Sequence, residues 1–541
     1  MANTMKFGNG QWATKEDSIL AYNDENANFK PLPFVTSRAS TATRVNKAGL
    51  LETVASGIPR VDYLGNTKGA YLLEPQSTNL ITQSEAFGNS YWTKSGASIK
   101  GDTNNTLSEK VVNGDFATNL SGWTNTAGVT WNSGNAKYNG SSGDFYQGGY
   151  ELGKIYLVTL DYTRISGQLN VNIGSALNPI STGSGGSLSI QVNSFGSTNF
   201  NLASISFVGT VDNVSVKEVQ GFSAPSVDNP TSAFKLVEDT STGTHYVLAN
   251  NSTISGEDYT QSVYVKPDGR FLQMTGSTGF ASSYINYDLD SGTMHLTGAG
   301  TATGTITLLS NGFYRCTYTD ESTLTGVGSR IIVVLSSSFT SSRLPSYTGD
   351  GTSGVYIFGA QLEQKSHSTS YIPTQGGIET RFADTASQTV PDGVINSVEG
   401  TMFVEMAALA NDLSERWFTI QESASTFDNQ INFRYSATTN LIQIVSRAAG
   451  LGQDVVLSYT LTDETDFSKI AFRWALNDWA LAVNGVVVDT VVSSTAFTSN
   501  SLDSFISNRG NSTNYFYGKV NNLQLYKTAL TDAELTSLTT I

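Results

Sequence analysis

Bond-making chemistry needs convergent polar side chains, and this chain offers few sets of them. Its three histidines, His245, His295 and His367, stand isolated in the sequence, and each reads as the donor or acceptor of a loop or strand hydrogen bond rather than as a proton shuttle. Cys316 is the single cysteine, so no intramolecular disulfide and no cysteine-based zinc site can form. There is no Gly-x-Ser-x-Gly elbow, His-Glu-x-x-His pair or phosphate loop. Gly298-Ala-Gly300 with Gly304 lacks the strand-then-helix setting of a dinucleotide fingerprint and reads as a hairpin loop. Asp288 and Asp290 imitate the opening of a calcium loop, but Ala299 occupies the position that needs glutamate, so they read as turn formers. Glycosidase chemistry asks for two carboxyl groups roughly 5–9.5 Å apart. With 46 acidic residues the sequence leaves such a pair open, while the regular repeat of a hydrolase β-helix is missing. The expectation is a protein that is not an enzyme.

Aromatic side chains are the other source of function. An exposed ring stacks on the C–H edge of a pyranose, and planar amides and carboxylates beside it hydrogen-bond the hydroxyls. Trp131, Tyr138, Tyr146, Trp417 and Trp479 are the candidates for sugar contact. Tyr138 and Tyr146 flank a Gly-Ser-Ser-Gly turn, where an outward face is expected.

Composition says what must position these groups. Charged residues are 14% of the chain, well below the usual quarter, whereas aromatic residues reach 11% and Gly numbers 51. The aromatic and aliphatic content supplies the apolar area that disordered chains lack. A net charge of −15 without clustered Lys and Arg excludes a nucleic-acid partner. No apolar run approaches the eighteen or so residues that span a bilayer, and the first twenty residues carry no signal-peptide core, so no membrane insertion is expected. Folding in a reducing cytoplasm fits the lone cysteine.

Short apolar runs at 155–160, 262–266, 331–335 and 354–358 are separated by Gly, Asn, Asp and Ser clusters, the pattern of sandwiches and barrels. At 469–489 the dipeptides Asn477-Asp478 and Asn484-Gly485 divide three apolar strands into a β-meander. One helix is predicted, at 531–538, where Thr531 is an N-cap with Glu534 three residues on. The fold class is therefore all-β: tandem antiparallel β-sandwiches with an extended N-terminal arm. At 541 residues several cores are needed. Residues 1–70 read as the arm, since Lys, Arg and Pro concentrate in 29–60 and Arg38, Arg44, Lys47 and Arg60 could meet carboxylates on a partner.

From residue 71 the text becomes distinctive. YLLEPQSTNLITQSEAFGNSYW opens a segment that YIFGAQLEQKSHSTSYIPT closes, and this set resembles a jelly-roll module common in phage tail and virion proteins. The resemblance assigns 71–109 plus 220–385 to one split sandwich. Residues 110–219, opening with VVNGDFATNLSGW and closing with VDNVSVKEV, resemble an inserted carbohydrate-binding-type jelly roll. There the opening tryptophan, Trp123, is expected in the core, and a structural calcium near Asp115 or Asp212 is implied. Residues 386–541, with VNG and a YKTALTDAEL ending, are similar to concanavalin A-like, laminin-G-like lectin domains. Together the resemblances imply a structural and adhesion subunit of a bacteriophage fibre or spike that binds host cell-surface polysaccharide without cleaving it. The rivals are a glycan-depolymerising tailspike and a purely structural decoration protein. The implied partners are further copies of itself, as a trimer, and other virion proteins met through the arm. The location implied is the virion, with synthesis in the host cytoplasm.

Overall fold

The computed structural model describes residues 3–21, 32–174, 177–194, 196–277, 279–280, 283–297, 302–390, 393–423, 428–450, 452–509 and 514–541. Gly298, Ala299 and Gly300 fall outside this set, and with them the hairpin-loop reading of that stretch. The described residues form antiparallel strands and one short helix, so the protein is all-β and built of sandwiches. They divide into two compact units, Met1–Thr78 with Gln364–Ile372 and Thr380–Ile541, and Asn79–Glu363 with Pro373–Glu379.

The first unit is a sandwich of two large sheets. One runs in the order Val486–Val491, Trp479–Val483, Ser468–Trp474, Gly400–Ala408, Gly518–Tyr526, Ala70–Leu73 and Val61–Asp62, with Met5–Gly8 also pairing Gly518–Tyr526. The other runs Thr14–Lys15, Ser18–Ala21, Leu32–Ser37, Thr385–Thr389, Ser504–Ile506, Arg416–Gln421, Gln430–Tyr435, Leu441–Arg447 and Val455–Thr460. Alternation along these strands sends Phe418, Ile420, Ile431, Phe433, Ile442 and Ile444 into a core shared with Met402, Val404, Phe472, Leu481 and Leu523 of the facing sheet. Each such side chain contributes about 1.5–3 kcal/mol on burial.

This arrangement corrects the reading of residues 1–70 as an arm standing apart. Met5 lies opposite Leu525 and Ser387 lies between Val35 and Ile506, so early strands sit inside both sheets of the C-terminal sandwich. The strand Leu32–Ser37 buries Leu32, Phe34 and Thr36 in strict alternation, a signal that Pro33 and the surrounding charges disguise. Arg38 and Arg60 likewise turn inward instead of toward a partner. Arg60 donates to Glu74 at 2.7 Å and to Asp384, Arg38 reaches Asp384 at 2.8 Å, and Arg381 lies 3.5 Å from Glu74. All five side chains are buried. Backbone carbonyls of Thr43, Ser40, Ala55 and Pro75 accept further guanidinium protons, while the Nε donors of Arg60 and Arg381 are buried without an acceptor among the described residues. Arg44 instead meets Glu52 at the surface, 3.4 Å away.

The second unit holds a sandwich of two six-stranded sheets. One contains Thr93–Ser95, Tyr246–Thr253, Gly326–Ser336, Phe271–Gly276, Tyr284–Asp288 and Thr293–Thr297, and the other Ala97–Lys100, Phe234–Glu238, Gly354–Glu363, Asp258–Asp268, Tyr314–Glu321 and Thr303–Leu308. Cys316 lies in the core between them, and burial pushes its thiol far above the ordinary range. The unit also carries a sheet with a core of its own, drawn from Val111 to Val216. Its long strands Ile155–Ile173 and Phe200–Val219 pair over nearly their whole length and bend where the register shifts. At that bend Gly167 has φ +74°, and a Cβ there would sit 1.9 Å from the Ser206 carbonyl oxygen, so only glycine fits. At the base of this segment Thr106 faces Val219 and Glu109 faces Lys217.

The two bracket motifs are tied by buried polar side chains. Within the first unit Glu74 accepts from the Ser370 backbone N–H at 2.7 Å and from its hydroxyl at 2.6 Å. Within the second, Asn79 accepts from Leu362 N–H at 3.1 Å, and the Ser84 hydroxyl accepts from Thr374 N–H at 2.8 Å. The predicted helix is Asp532–Thr539, with Thr531 and Glu534 forming the reciprocal capping box. The β-meander is present as predicted, Asn477 and Asn484 both taking positive φ at its turns.

Asp384→Ala leaves three buried guanidiniums facing one carboxylate, and is expected to destabilise the first unit by roughly 3–5 kcal/mol in chemical denaturation. Glu52→Ala, at the surface pair, is expected to cost about 1 kcal/mol or less. Burial opposes ionisation of Glu74, but Arg381 and Arg60 outweigh it and hold its carboxyl well below the usual range. The network's support is therefore complete above the ordinary carboxylate pKa and drains as pH falls through the depressed value.

Candidate functional site: a polar and aromatic cleft in the first sandwich

A cleft of about 340 Å³ opens at one end of the first unit, lined by His367, Asp412, Glu415, Arg416, Asn514, Tyr515 and Tyr517 among others. The turn before strand Arg416–Gln421 and the segment before strand Gly518–Tyr526 build much of it, and Pro75 and the segment 365–367 close it. In the first, Asp412 accepts from the Ser414 N–H at 3.1 Å and from Arg416 at 2.5 Å. In the second, Phe516 is buried in the core, while its neighbours Tyr515 and Tyr517 are half-buried and line the cleft. Their rings lie 6.0 Å apart, 24° from parallel. Asn514 donates to Glu415 at 2.6 Å, and Arg434 reaches the other Glu415 oxygen at 3.2 Å. Planar amide, carboxylate and guanidinium groups thus stand beside two half-buried phenol rings, the inventory that a sugar ring requires.

Electrostatics divide the acids of this region. Burial opposes ionisation of Asp412, but Arg416 and the Ser414 N–H outweigh it and hold the carboxyl below its ordinary value. Glu464 lies buried behind them, 3.7 Å from Arg416. Burial pushes its carboxyl up to about 7 against the pull of Arg416, and Asp412 and Asp463 add to the rise.

The sequence candidates have unequal fates. Tyr138 is 1% exposed and Trp479 is 2% exposed, each inside a hydrophobic core, so neither presents a face to a ligand. Trp123 is in the core, stacked on Phe145 at 4.5 Å. Tyr146 is half-buried beside strand Thr124–Asn125. Trp131 is 44% exposed, with its indole N–H donating to the Phe116 carbonyl at 2.7 Å. Trp417 is 3% exposed, and the guanidiniums of Arg434 and Arg509 lie over its ring at 4.7 and 5.0 Å, leaving no free face for stacking. One oxygen of Asp115 accepts from the Ala117 N–H and one of Asp212 from the Asn213 N–H. Among the described residues no three His, Cys, Asp or Glu side chains gather where a metal ion could sit, so the two aspartates are not brought into such a group. His245 lies between the carbonyl oxygens of Gly96 and Tyr347, a loop-tying role. Tyr515, Tyr517, Glu415 and Arg416 carry no motif. The only sequence signal for the tyrosines is their period-two spacing about a core phenylalanine.

This sandwich has a relative. Residues 382–536 match the concanavalin A-like lectin/glucanases superfamily. The match begins at 382, yet Met5–Gly8, Ser18–Ala21, Leu32–Ser37 and Ala70–Leu73 complete the sheets of the same lectin-type sandwich. Among the curated proteins none matches the chain. Solved structures aligned with it include the Ruminococcus gnavus IT-sialidase CBM40 bound to alpha2,3 sialyllactose, at 15% identity over 26% of this chain and 83% of that one, TM-score 0.23. Mouse laminin alpha1 chain, domains LG4-5, aligns at 10% identity over 55% of this chain and 88% of that one, TM-score 0.20.

Folded Glu464 holds its proton more tightly than the unfolded chain does, so it supports the fold below the ordinary carboxylate range and that support is lost as pH climbs to about 7. Glu464→Gln, which mimics the protonated acid, is expected to raise the melting temperature of the lectin-type unit at pH 8 and leave it unchanged at pH 4. Melting curves at the two pH values check this.

Proposed function

We propose that the protein is a structural and adhesion subunit of a bacteriophage fibre or spike, made in the host cytoplasm and displayed on the particle, that binds host-surface glycans without cutting them. The carrying observation is the cleft in a lectin-type sandwich where Tyr515 and Tyr517 stand beside Asn514, Glu415 and Arg416. Its acids are engaged: Glu415 by Arg434 and Asn514, Asp412 by Arg416. Carboxylates so neutralised serve as acceptors for hydroxyl groups better than as proton donors. The LLEPQ and TSYIPT brackets, with their buried ties, support the virion assignment through their resemblance to phage tail modules. Rigid sandwiches suit a shear-bearing appendage, and a homotrimer would turn weak single sites into avidity.

Cleavage of the glycan is the second reading, favoured by one observation: Glu464, poised near neutral pH, lies behind two further acids. A glycan array with the full chain should give binders. Tyr515→Ala and Tyr517→Ala are each expected to weaken binding about tenfold, the equivalent of roughly 1.4 kcal/mol. Incubation with a bound polysaccharide is expected to release no new reducing ends, and their appearance would establish the second reading instead. On particles, an antibody to the chain is expected to label an external appendage.

A further inference from the structure

The outer face of the second sheet of the lectin-type unit is polar where its inner face is apolar. Across strands Arg416–Gln421, Gln430–Tyr435 and Leu441–Arg447, Trp417 lies opposite Arg434 and Arg434 opposite Gln443, while Gln430 lies opposite Arg447. A recess of about 20 Å³ is enclosed there by Trp417, Asn432, Arg434, Arg447, Gln453 and Arg509 together with two neighbours. A space of roughly 10–15 Å³ holds one water-sized group, so the recess admits a single small substituent and excludes a pyranose ring.

Charge in this recess is out of balance. Arg434 pairs with Glu415 at 3.2 Å, but among the described residues no carboxylate lies within ion-pairing distance of Arg447 or Arg509. Three guanidiniums therefore share one carboxylate in a chain whose net charge is −15. Burial, with Arg509 adding and Glu415 opposing, lowers the proton affinity of Arg434. Guanidiniums gathered in this way are stabilised by an anion that accepts from several of them. A second donor points to the same need. The buried indole N–H of Trp417, whose side chain lines the recess, has no acceptor among the described residues. An oxyanion would satisfy the guanidinium N–H groups and the indole N–H together.

We infer that this recess is a subsite for the carboxylate of an acidic sugar, held by Arg447 and Arg509 with Trp417 as a neutral donor. The inference rests on the glycan-binding reading above and names the ligand class for it: a polysaccharide bearing uronic or similar carboxylated residues. A planar carboxylate matches the fork of a guanidinium, and a single such group suits a small recess better than a bulkier sulfate.

The test is an array that prints carboxylated glycans beside their carboxyl-reduced counterparts and beside sulfated ones, probed with the full chain. Tenfold or greater preference for the carboxylated forms is expected. Arg447→Gln with Arg509→Gln should erase that preference while binding of the reduced forms persists and the melting temperature stays within a few degrees. Trp417→Phe, which keeps the ring and removes only the N–H, should lower affinity for carboxylated glycans several-fold. Equal binding of both forms, or a preference untouched by the double substitution, overturns the inference and leaves the glycan-binding reading standing. Preference confined to sulfated glycans overturns the carboxylate assignment. Binding to nothing printed overturns both readings at once.

Discussion

Three arginines and two acids sealed from water hold the lectin-type unit together. Arg38, Arg60, Glu74, Arg381 and Asp384 come from stretches of chain more than 300 residues apart and meet in one buried network. Charges taken out of water are costly unless the geometry is good and every remaining donor is satisfied. Here the excess guanidinium charge leans on backbone carbonyls. Such a network adds little net stability over an apolar core, but it tolerates only one arrangement of the segments that supply it. Each segment must arrive in register, or a bare charge is left inside.

The same requirement applies to the two brackets. Glu74 in one bracket and Ser370 in the other are partners, as are Ser84 and Thr374. A polar residue buried with one specific partner cannot be exchanged as freely as a hydrophobe of the right size. The same logic hid the role of Arg38 and Arg60. Read locally they are charges in a proline-bearing stretch, and nothing nearby in the chain announces an acid that lies hundreds of residues away.

Local features were legible and distant ones were not. The helix with its capping box, the asparagine turns and the strand alternation are written within a few residues of one another, and the structure has them. The placement of residues 5–8 and 32–37 in sheets whose other strands lie after residue 385 depends on pairing that no local pattern encodes. For the site, aromatic type alone was a poor guide. Tyr138 and Trp479 lie on inward-facing strand positions and became core, whereas Tyr515 and Tyr517 escaped notice because no motif marks them on either side of the buried Phe516. Trp417 occupies the right face, yet two arginines cover it.

Along its length the strand Met5–Gly8 pairs with Gly518–Tyr526. During synthesis this strand therefore emerges before its partner and waits while some five hundred residues follow it from the ribosome. Closing so long a loop adds little equilibrium penalty but delays docking. In that interval Met5 and Phe7 remain available to other chains, so a nascent copy crowded by its siblings risks exchanging this strand between molecules.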